Sequence, residues 1–191
     1  MNKPKKYEQT QVPGDFEQIE IGGHICVIKQ VEEKKSKSGL NMLVISLDTD
    51  VSDRQPKYFE NQFKNDIRPD KKWGCVMYLV VDESTDYGVK NLKTFITCVE
   101  NSNAGFTNQW GDNWAAQFKN KKIGAVFGRE QYENQKGELK WSTKAKYFRS
   151  TDKVLDVNPP EDKYLNKQSN NVGADGFMSI PESVDEELPF N

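Results

Sequence analysis

GGHICVIKQV at residues 22–31 and MLVISL at residues 42–47 are two runs of strand-forming residues, and the turn cluster SKSG at residues 36–39 separates them. Because β-branched and apolar side chains fit a pleated, half-buried surface, these segments predict a β-hairpin. The centre of the first run is apolar on both faces, which is typical of a buried, bent strand. The hairpin therefore indicates a mainly β fold built around this strand.

Downstream segments continue the β pattern and add one helix. Leu92, Phe95, Ile96 and Val99 follow the helical spacing i, i+3, i+4, i+7. Gly137 lies in a polar turn between two strand-like runs and predicts a second hairpin. The predicted elements are a third strand over 73–81, a helix over 87–100, a fourth strand over 123–132 and a fifth over 138–149.

Five strands arranged as hairpin, single strand, helix and hairpin predict a five-stranded OB-type Greek-key barrel, with one helix between strands 3 and 4. An open β-sandwich is the alternative. Residues 1–15 are predicted to be a flexible lead-in, and residues 16–157 are predicted to form the OB-fold domain. Residues 158–191 are predicted to be a disordered acidic tail, because Pro159-Pro160 is followed by a polar, acid-rich sequence.

The charge of the 191-residue chain is divided between its two parts. The whole chain has a formal net charge of −2. Residues 150–191 carry nine acidic and three basic residues, a net of −6, so residues 1–149 carry a net of +4. A basic body joined to an acidic tail indicates a polyanionic partner for the body and a separate use for the tail.

Several protein classes are disfavoured by composition. His24 is the single histidine, which rules out a two-histidine metal site. Cys26, Cys75 and Cys98 are widely spaced and are typical of reduced thiols in a cytoplasmic protein. The sequence contains no membrane-length apolar run, secretory signal or nucleotide-binding glycine loop. We therefore expect a non-enzymatic, cytoplasmic protein without a membrane segment, cofactor or metal.

Two functional alternatives remain open at the level of sequence. Pro69-Asp70 and Glu138-Leu-Lys140 resemble the PD-(D/E)xK pattern, in which carboxylates hold magnesium and a lysine orients water. This pattern would indicate a magnesium-dependent nuclease. A protein-interaction adaptor that uses only the tail is the other alternative.

Basic residues interleave with aromatic residues in three places: the first turn, the approach to the third strand and the second hairpin. Cations can contact phosphates, while flat rings can stack on bases without reading sequence. A lysine row is also common on a solvated strand face, and strand aromatics are commonly core residues. The predicted DNA contacts are Lys34, Lys35, Lys37, Tyr58, Lys71, Lys72, Trp73, Arg129, Tyr132, Lys140, Trp141, Lys144, Lys146 and Phe148.

Strict alternation along the fifth strand places Lys140, Lys144, Lys146 and Phe148 on one face and Trp141 on the other. Lysines at every second position are about 7 Å apart, close to the phosphate spacing of an extended single strand. This face is therefore the predicted path of the backbone.

The chain ends in an acidic segment with a small apolar cluster. Asp185, Glu186, Glu187, Leu188, Pro189 and Phe190 would give a partner protein an electrostatic contact and a hydrophobic anchor. This tip resembles the acidic tip of bacterial single-stranded-DNA-binding proteins, which recruits replication and repair enzymes. One departure is Asn191, which moves the terminal carboxylate one residue beyond Phe190.

The body resembles a family of small phage and mobile-element proteins from Gram-positive bacteria that are associated with single-stranded DNA and recombination genes. The similar stretches are 22–31 with 37–40, 68–73, and 122–132 with Gly137. The resemblance implies sequence-independent single-stranded DNA binding in replication or recombination, with replication and recombination proteins as partners of the tip, and implies no catalytic residue. The choice between DNA and RNA and the presence of a homo-oligomer stay open.

Overall fold

The computed structural model describes residues 2–3, 7 and 17–165, so most of the predicted lead-in lies outside the described residues. In chain order the elements are β1 (Gly22–Lys35), β2 (Asn41–Thr49), α1 (Tyr58–Asn65), β3 (Val76–Val80), α2 (Asp86–Ser102), β4 (Lys122–Glu133) and β5 (Leu139–Arg149). Two 3₁₀ turns occupy Trp114–Phe118 and Val154–Asp156. The mainly β class, the five strands and the helix between the third and fourth strands are therefore confirmed.

The five strands form one antiparallel sheet with the order β3-β2-β1-β4-β5. β3 and β5 are the edges, and in the described part of the chain no hydrogen-bonded ladder joins them. α2 packs against β3, β4 and β5, and so lies across the space between the two edges. The strands of the predicted barrel are present, but they form an open sheet.

β1 is the central strand, and a bulge at Lys29 divides it. β1 pairs with β4 over residues 22–27 and with β2 over residues 26–35. The bulge bends the strand, because one residue of β1 has no counterpart in β2. This geometry agrees with the buried, bent strand predicted from the sequence.

The core is rich in aromatic rings. Phe95 of α2 lies between Phe118 and Phe148, at centroid distances of 5.0 and 5.5 Å. The three rings are almost fully buried, and they anchor α2 to the sheet. The helical spacing read from the sequence thus identified the buried face of α2 correctly at Phe95 and Val99.

The three cysteines are free and buried. Burial raises the pKa of all three thiols, that of Cys98 to about 11. They are therefore protonated and unreactive at neutral pH.

α1 is the helix that the sequence analysis did not predict. The carboxylate of Asp48, at the end of β2, accepts hydrogen bonds from the backbone N–H groups of Phe59 at 3.0 Å and Glu60 at 3.3 Å. Lys57 precedes the helix and contributes no side-chain cap. The first turn of α1 is therefore capped by a residue 11 and 12 positions upstream of the N–H groups that it accepts from.

His24 is a buried structural residue. Its Nδ1 lies 2.9 Å from Asp53 Oδ1, and its Nε2 lies 3.0 Å from Arg54 Nη2. Asp53 also accepts from the backbone N–H groups of Ile25 at 2.8 Å and Gln55 at 2.9 Å. This network joins the start of β1 to the loop that follows β2.

Asp53→Ala should lower the free energy of unfolding by about 3 kcal/mol or more, because several buried donors lose their acceptor. Burial raises the pKa of Asp53, but hydrogen bonds from His24, Gln55 and Ile25 outweigh it and hold the pKa below the ordinary value. The stabilisation is therefore complete above the ordinary carboxyl pKa, and it declines as pH falls through the lowered pKa. Urea unfolding at several pH values measures both effects.

The control for this prediction is Asp70→Ala, which removes an exposed carboxyl group. An Asp53→Ala variant as stable as the Asp70→Ala variant at pH 7 would contradict the role given to the network.

Candidate nucleic-acid interface

β4 and β5 extend beyond the first residue of β1 as a two-stranded hairpin. β1 begins at Gly22, which lies opposite Phe127 of β4, and β4 continues for six more residues. We call residues 128–144 the projecting hairpin, since Gly128 pairs with Lys144 at its base. At its tip, the N–H of Gly137 donates to the carbonyl of Asn134 at 2.9 Å, and Gly137 has a φ of +77°. The glycine turn predicted from the sequence is thus confirmed.

A bulge in β5 changes which side chains share a face. Tyr147 and Ala145 occupy neighbouring pairing positions against β4, so Lys146 between them is an extra residue. The bulge shifts the alternation, and Phe148 lies in the core with 1% of its surface exposed. The predicted face of Phe148 is therefore wrong, and its ring has no open side for a base.

The lysines of β5 are paired with carboxylates. Lys144 Nζ lies 2.7 Å from Glu130, and Lys146 donates a hydrogen bond to the same carboxylate. Lys140 Nζ lies 3.3 Å from Glu138. Burial raises the pKa of Glu130, but the hydrogen bonds from Lys144 and Lys146 outweigh it, and the pKa is below the ordinary value. Three cations thus share two carboxylates, which leaves one net positive charge.

The opposite face of the projecting hairpin carries a cation–π pair. The guanidinium carbon of Arg129 lies 5.4 Å from the centre of the Trp141 ring, and 37% of Trp141 is exposed. Tyr132 is half-buried and pairs with Lys140, on the lysine face. The hairpin therefore presents lysines with a tyrosine on one face and an arginine with a tryptophan on the other.

Residues 160–165 return to the projecting hairpin, and we call them the strap. The carbonyl of Lys163 accepts from the N–H of Gln131 at 2.8 Å, and the N–H of Lys163 donates to the carbonyl of Arg129 at 3.0 Å. These bonds form a short parallel bridge on β4. The strap belongs to the segment predicted to be disordered from residue 158. Its backbone nevertheless pairs with the part of β4 that lies beyond the first residue of β1.

Side chains of the strap cover the cation–π pair. Asp162 and Arg129 form a two-point ion pair, with Arg129 Nε 3.0 Å from Asp162 Oδ1. Tyr164 packs edge-on against Trp141 at a centroid distance of 5.2 Å. The hydrogen bonds from Arg129 lower the pKa of Asp162, so this carboxyl group is ionised at neutral pH.

A second aromatic and basic group surrounds Trp73. Trp73 Nε1 donates to the carbonyl of Leu47 at 2.7 Å, and its ring lies 5.6 Å from Phe63. Lys71 Nζ lies 4.5 Å from the Phe63 ring, and Lys29 Nζ lies 5.9 Å from the Trp73 ring. Phe63 and Lys29 were not predicted, because they belong to the unpredicted α1 and to the β1 bulge.

The remaining predicted residues lie at the first turn, in the segment before β3 and at the start of α1. Lys34 pairs with Glu32 at 2.7 Å, while Lys35 and Lys37 are exposed at the β1–β2 turn. Lys72 is exposed at a shallow cleft that Trp73 also lines, and Tyr58 is half-buried and packs edge-on against Phe59.

The three predicted basic groups are spread along the sheet. Because β1 and β4 are antiparallel, the β1–β2 turn and the tip of the projecting hairpin lie at opposite ends. Trp73 lies beside Leu47, which pairs with Ile28 near the middle of β1. The structure therefore does not gather these cations into a single cluster.

Of the carboxylates in the nuclease pattern, Asp70 lines the cleft beside Trp73, and Glu138 lies at the hairpin tip. Within residues 17–165, together with 2–3 and 7, no group of three or more His, Cys, Asp or Glu side chains could hold a metal ion. Glu138 instead pairs with Lys140 and Asn134 at the hairpin tip. In the same part of the chain, every helix is too short or too polar to cross a lipid bilayer.

No family model matches the chain, and no curated protein matches it. The tip residues 185–190 lie outside the described residues. The resemblances of the tip and the body to single-stranded-DNA-binding proteins therefore stay predictions.

Proposed function

We propose that the protein binds single-stranded DNA without sequence preference, in replication or recombination of a phage or mobile element. The observation that carries the proposal is the projecting hairpin, where Arg129 lies over the exposed Trp141 on one face and Lys140 and Lys144 lie on the other. Aromatic faces stack on any base and cations contact phosphates, which together permit binding without sequence readout.

In this proposal, Trp141 and Tyr132 stack on bases, and Arg129, Lys140 and Lys144 contact phosphates. The carboxylates that now pair with these cations are replaced by phosphate oxygens, which accept the same charge-assisted hydrogen bonds. Further contacts come from the basic residues of the first turn and from the group around Trp73. The full set is Lys34, Lys35, Lys37, Tyr58, Lys71, Lys72, Trp73, Arg129, Tyr132, Lys140, Trp141, Lys144 and Lys146.

We also propose that the sheet is an OB-type barrel left open between β3 and β5. The OB fold is a partly open five-stranded Greek-key barrel whose loops between strands 1 and 2 and strands 4 and 5 contact the ligand. The basic β1–β2 turn and the projecting hairpin occupy these two loop positions. The five strands and the position of α2 support this assignment.

The strap acts in this proposal as an internal competitor of DNA. Asp162 forms an ion pair with the guanidinium of Arg129, and Tyr164 packs against the Trp141 ring. Displacement of the strap exposes both groups and releases the tail that follows. The acidic tip with Phe190 then recruits replication or recombination proteins.

Fluorescence anisotropy with labelled oligo-dT should detect binding that weakens steeply with salt. If Arg129, Lys140, Lys144 and Lys146 each neutralise one phosphate, the plot of log K against log [salt] has a slope of roughly −3. A DNA duplex of the same length is the specificity control, and a matched RNA strand tests the choice of sugar. Absence of binding at low salt would reject the proposal and favour the adaptor alternative.

Trp141→Ala should weaken oligo-dT binding about tenfold, because one stacked base loses its partner. Leu139→Ala is the matched control, since Leu139 is exposed on the same strand and face. Trp141→Phe should keep most of the affinity. Equal affinities for the Trp141→Ala and Leu139→Ala variants would remove Trp141 from the interface.

Asp162→Asn should strengthen oligo-dT binding about two- to fivefold, because an exposed ion pair that competes with phosphate is lost. Glu161→Gln removes the same charge from the adjacent exposed position and should have a smaller effect. An equal gain in both variants would show that general charge, rather than the Arg129 contact, sets the affinity.

A further inference from the structure

Trp110 is the most exposed of the four tryptophans, with 68% of its surface accessible. It lies in the loop between α2 and the 3₁₀ turn at Trp114–Phe118. An exposed indole gains little from burial in this conformation, so its position is not explained by core packing.

One face of the Trp110 ring rests on Trp114. The two rings are nearly parallel, with a centroid distance of 5.4 Å and an interplanar angle of 6°. Trp114 in turn packs edge-on against the buried Phe118 at 4.8 Å. Because one face of Trp110 is covered and most of its surface is still accessible, the opposite face is open to solvent.

The loop is held in shape by one glutamine. Gln117 Nε2 donates to the carbonyls of Gln109 and Trp114, both at 2.9 Å, and Gln117 Oε1 accepts from the N–H of Gln109 at 2.9 Å. Asn108 Oδ1 accepts from Trp114 Nε1 at 2.7 Å. The orientation of Trp110 is therefore preorganised, which lowers the entropy cost of binding a flat ligand.

Trp110 and Trp114 line a cleft that a cation also lines. Lys121 lines it together with Thr107, Gln109 and Asp112, and Lys121 Nζ lies 4.7 Å from the Phe106 ring. An open indole face and an ammonium group that line one cleft suit a ligand with a flat ring joined to an anion.

We propose that a nucleobase of single-stranded DNA stacks on the open face of Trp110 while Lys121 contacts a neighbouring phosphate. This inference rests on the proposed function and adds a second contact region to it. The loop lies near the start of β4, and the hairpin tip lies at the other end, roughly 33 Å away along ten strand residues. The same strand of DNA must therefore reach across the sheet to contact both regions.

The test compares the affinity of full-length variants for oligo-dT of about 16 nucleotides, a length at the upper end of single-module site sizes. Trp110→Ala should weaken binding about tenfold. Trp110→Leu keeps an apolar cover on Trp114 without a flat face, and it should show the same loss even if the Ala variant is poorly folded. Trp110→Phe should restore most of the affinity. Val89→Ala is the control, because Val89 is a half-exposed apolar residue on α2.

Salt dependence separates stacking from charge. Trp110→Leu should leave the slope of log K against log [salt] unchanged, because it removes no cation, whereas Lys121→Ala should make the slope shallower by about 0.7. A change of slope in the Trp110→Leu variant would contradict the stacking role.

The outcomes distinguish this inference from the proposed function. If the wild-type protein binds oligo-dT and the Trp110→Leu variant binds as tightly as the Val89→Ala variant, the inference fails and the proposed function stands. If the wild-type protein does not bind at low salt, both fail. Quenching of tryptophan fluorescence by a neutral cello-oligosaccharide, lost in Trp110→Leu, would assign the open face to a sugar and overturn the inference.

Discussion

The tight packing at the start of β1 is the constraint on which the rest of the structure depends. A Cβ atom on Gly23 would lie only 1.7 Å from the carbonyl oxygen of Val154, and Gly22 has a φ of +105°. Only glycine satisfies both conditions without strain. Because β1 begins at Gly22, the part of β4 that follows Phe127 has no β1 residue beside it. This part of β4 belongs to the projecting hairpin, and the strap pairs with its open edge.

The candidate interface consists largely of ion pairs that can exchange partners. Arg129, Lys140 and Lys144 each contact a carboxylate of the protein itself, so under the proposed function a phosphate would replace one anion with another. Exposed ion pairs contribute little to stability, and their exchange costs correspondingly little. Under the proposed function, the net affinity for DNA would come from released counterions and from stacked rings at both ends of the sheet. Such a surface suits a long, flexible ligand better than a compact one.

The sequence identified many residues of the candidate interface but not their arrangement. Trp141 and Arg129 share a face of the hairpin as neighbours across β4 and β5. Phe148 was assigned to the wrong face because the bulge at Lys146 has no signature in the sequence. The strap was missed because its order comes from a free edge of β4, whereas Pro159-Pro160 indicates only that regular structure ends.

The sequence by itself determined the elements whose signal is local. The periodicities of β1 and α2 and the turn at Gly137 depend on residues within a few positions of one another. These elements can therefore be predicted from the sequence without knowledge of the fold. Only the tertiary structure decided α1, which Asp48 caps from the end of β2, and the open edge between β3 and β5. It also decided which rings stay exposed. Those features depend on groups distant in sequence that meet only when the chain has packed.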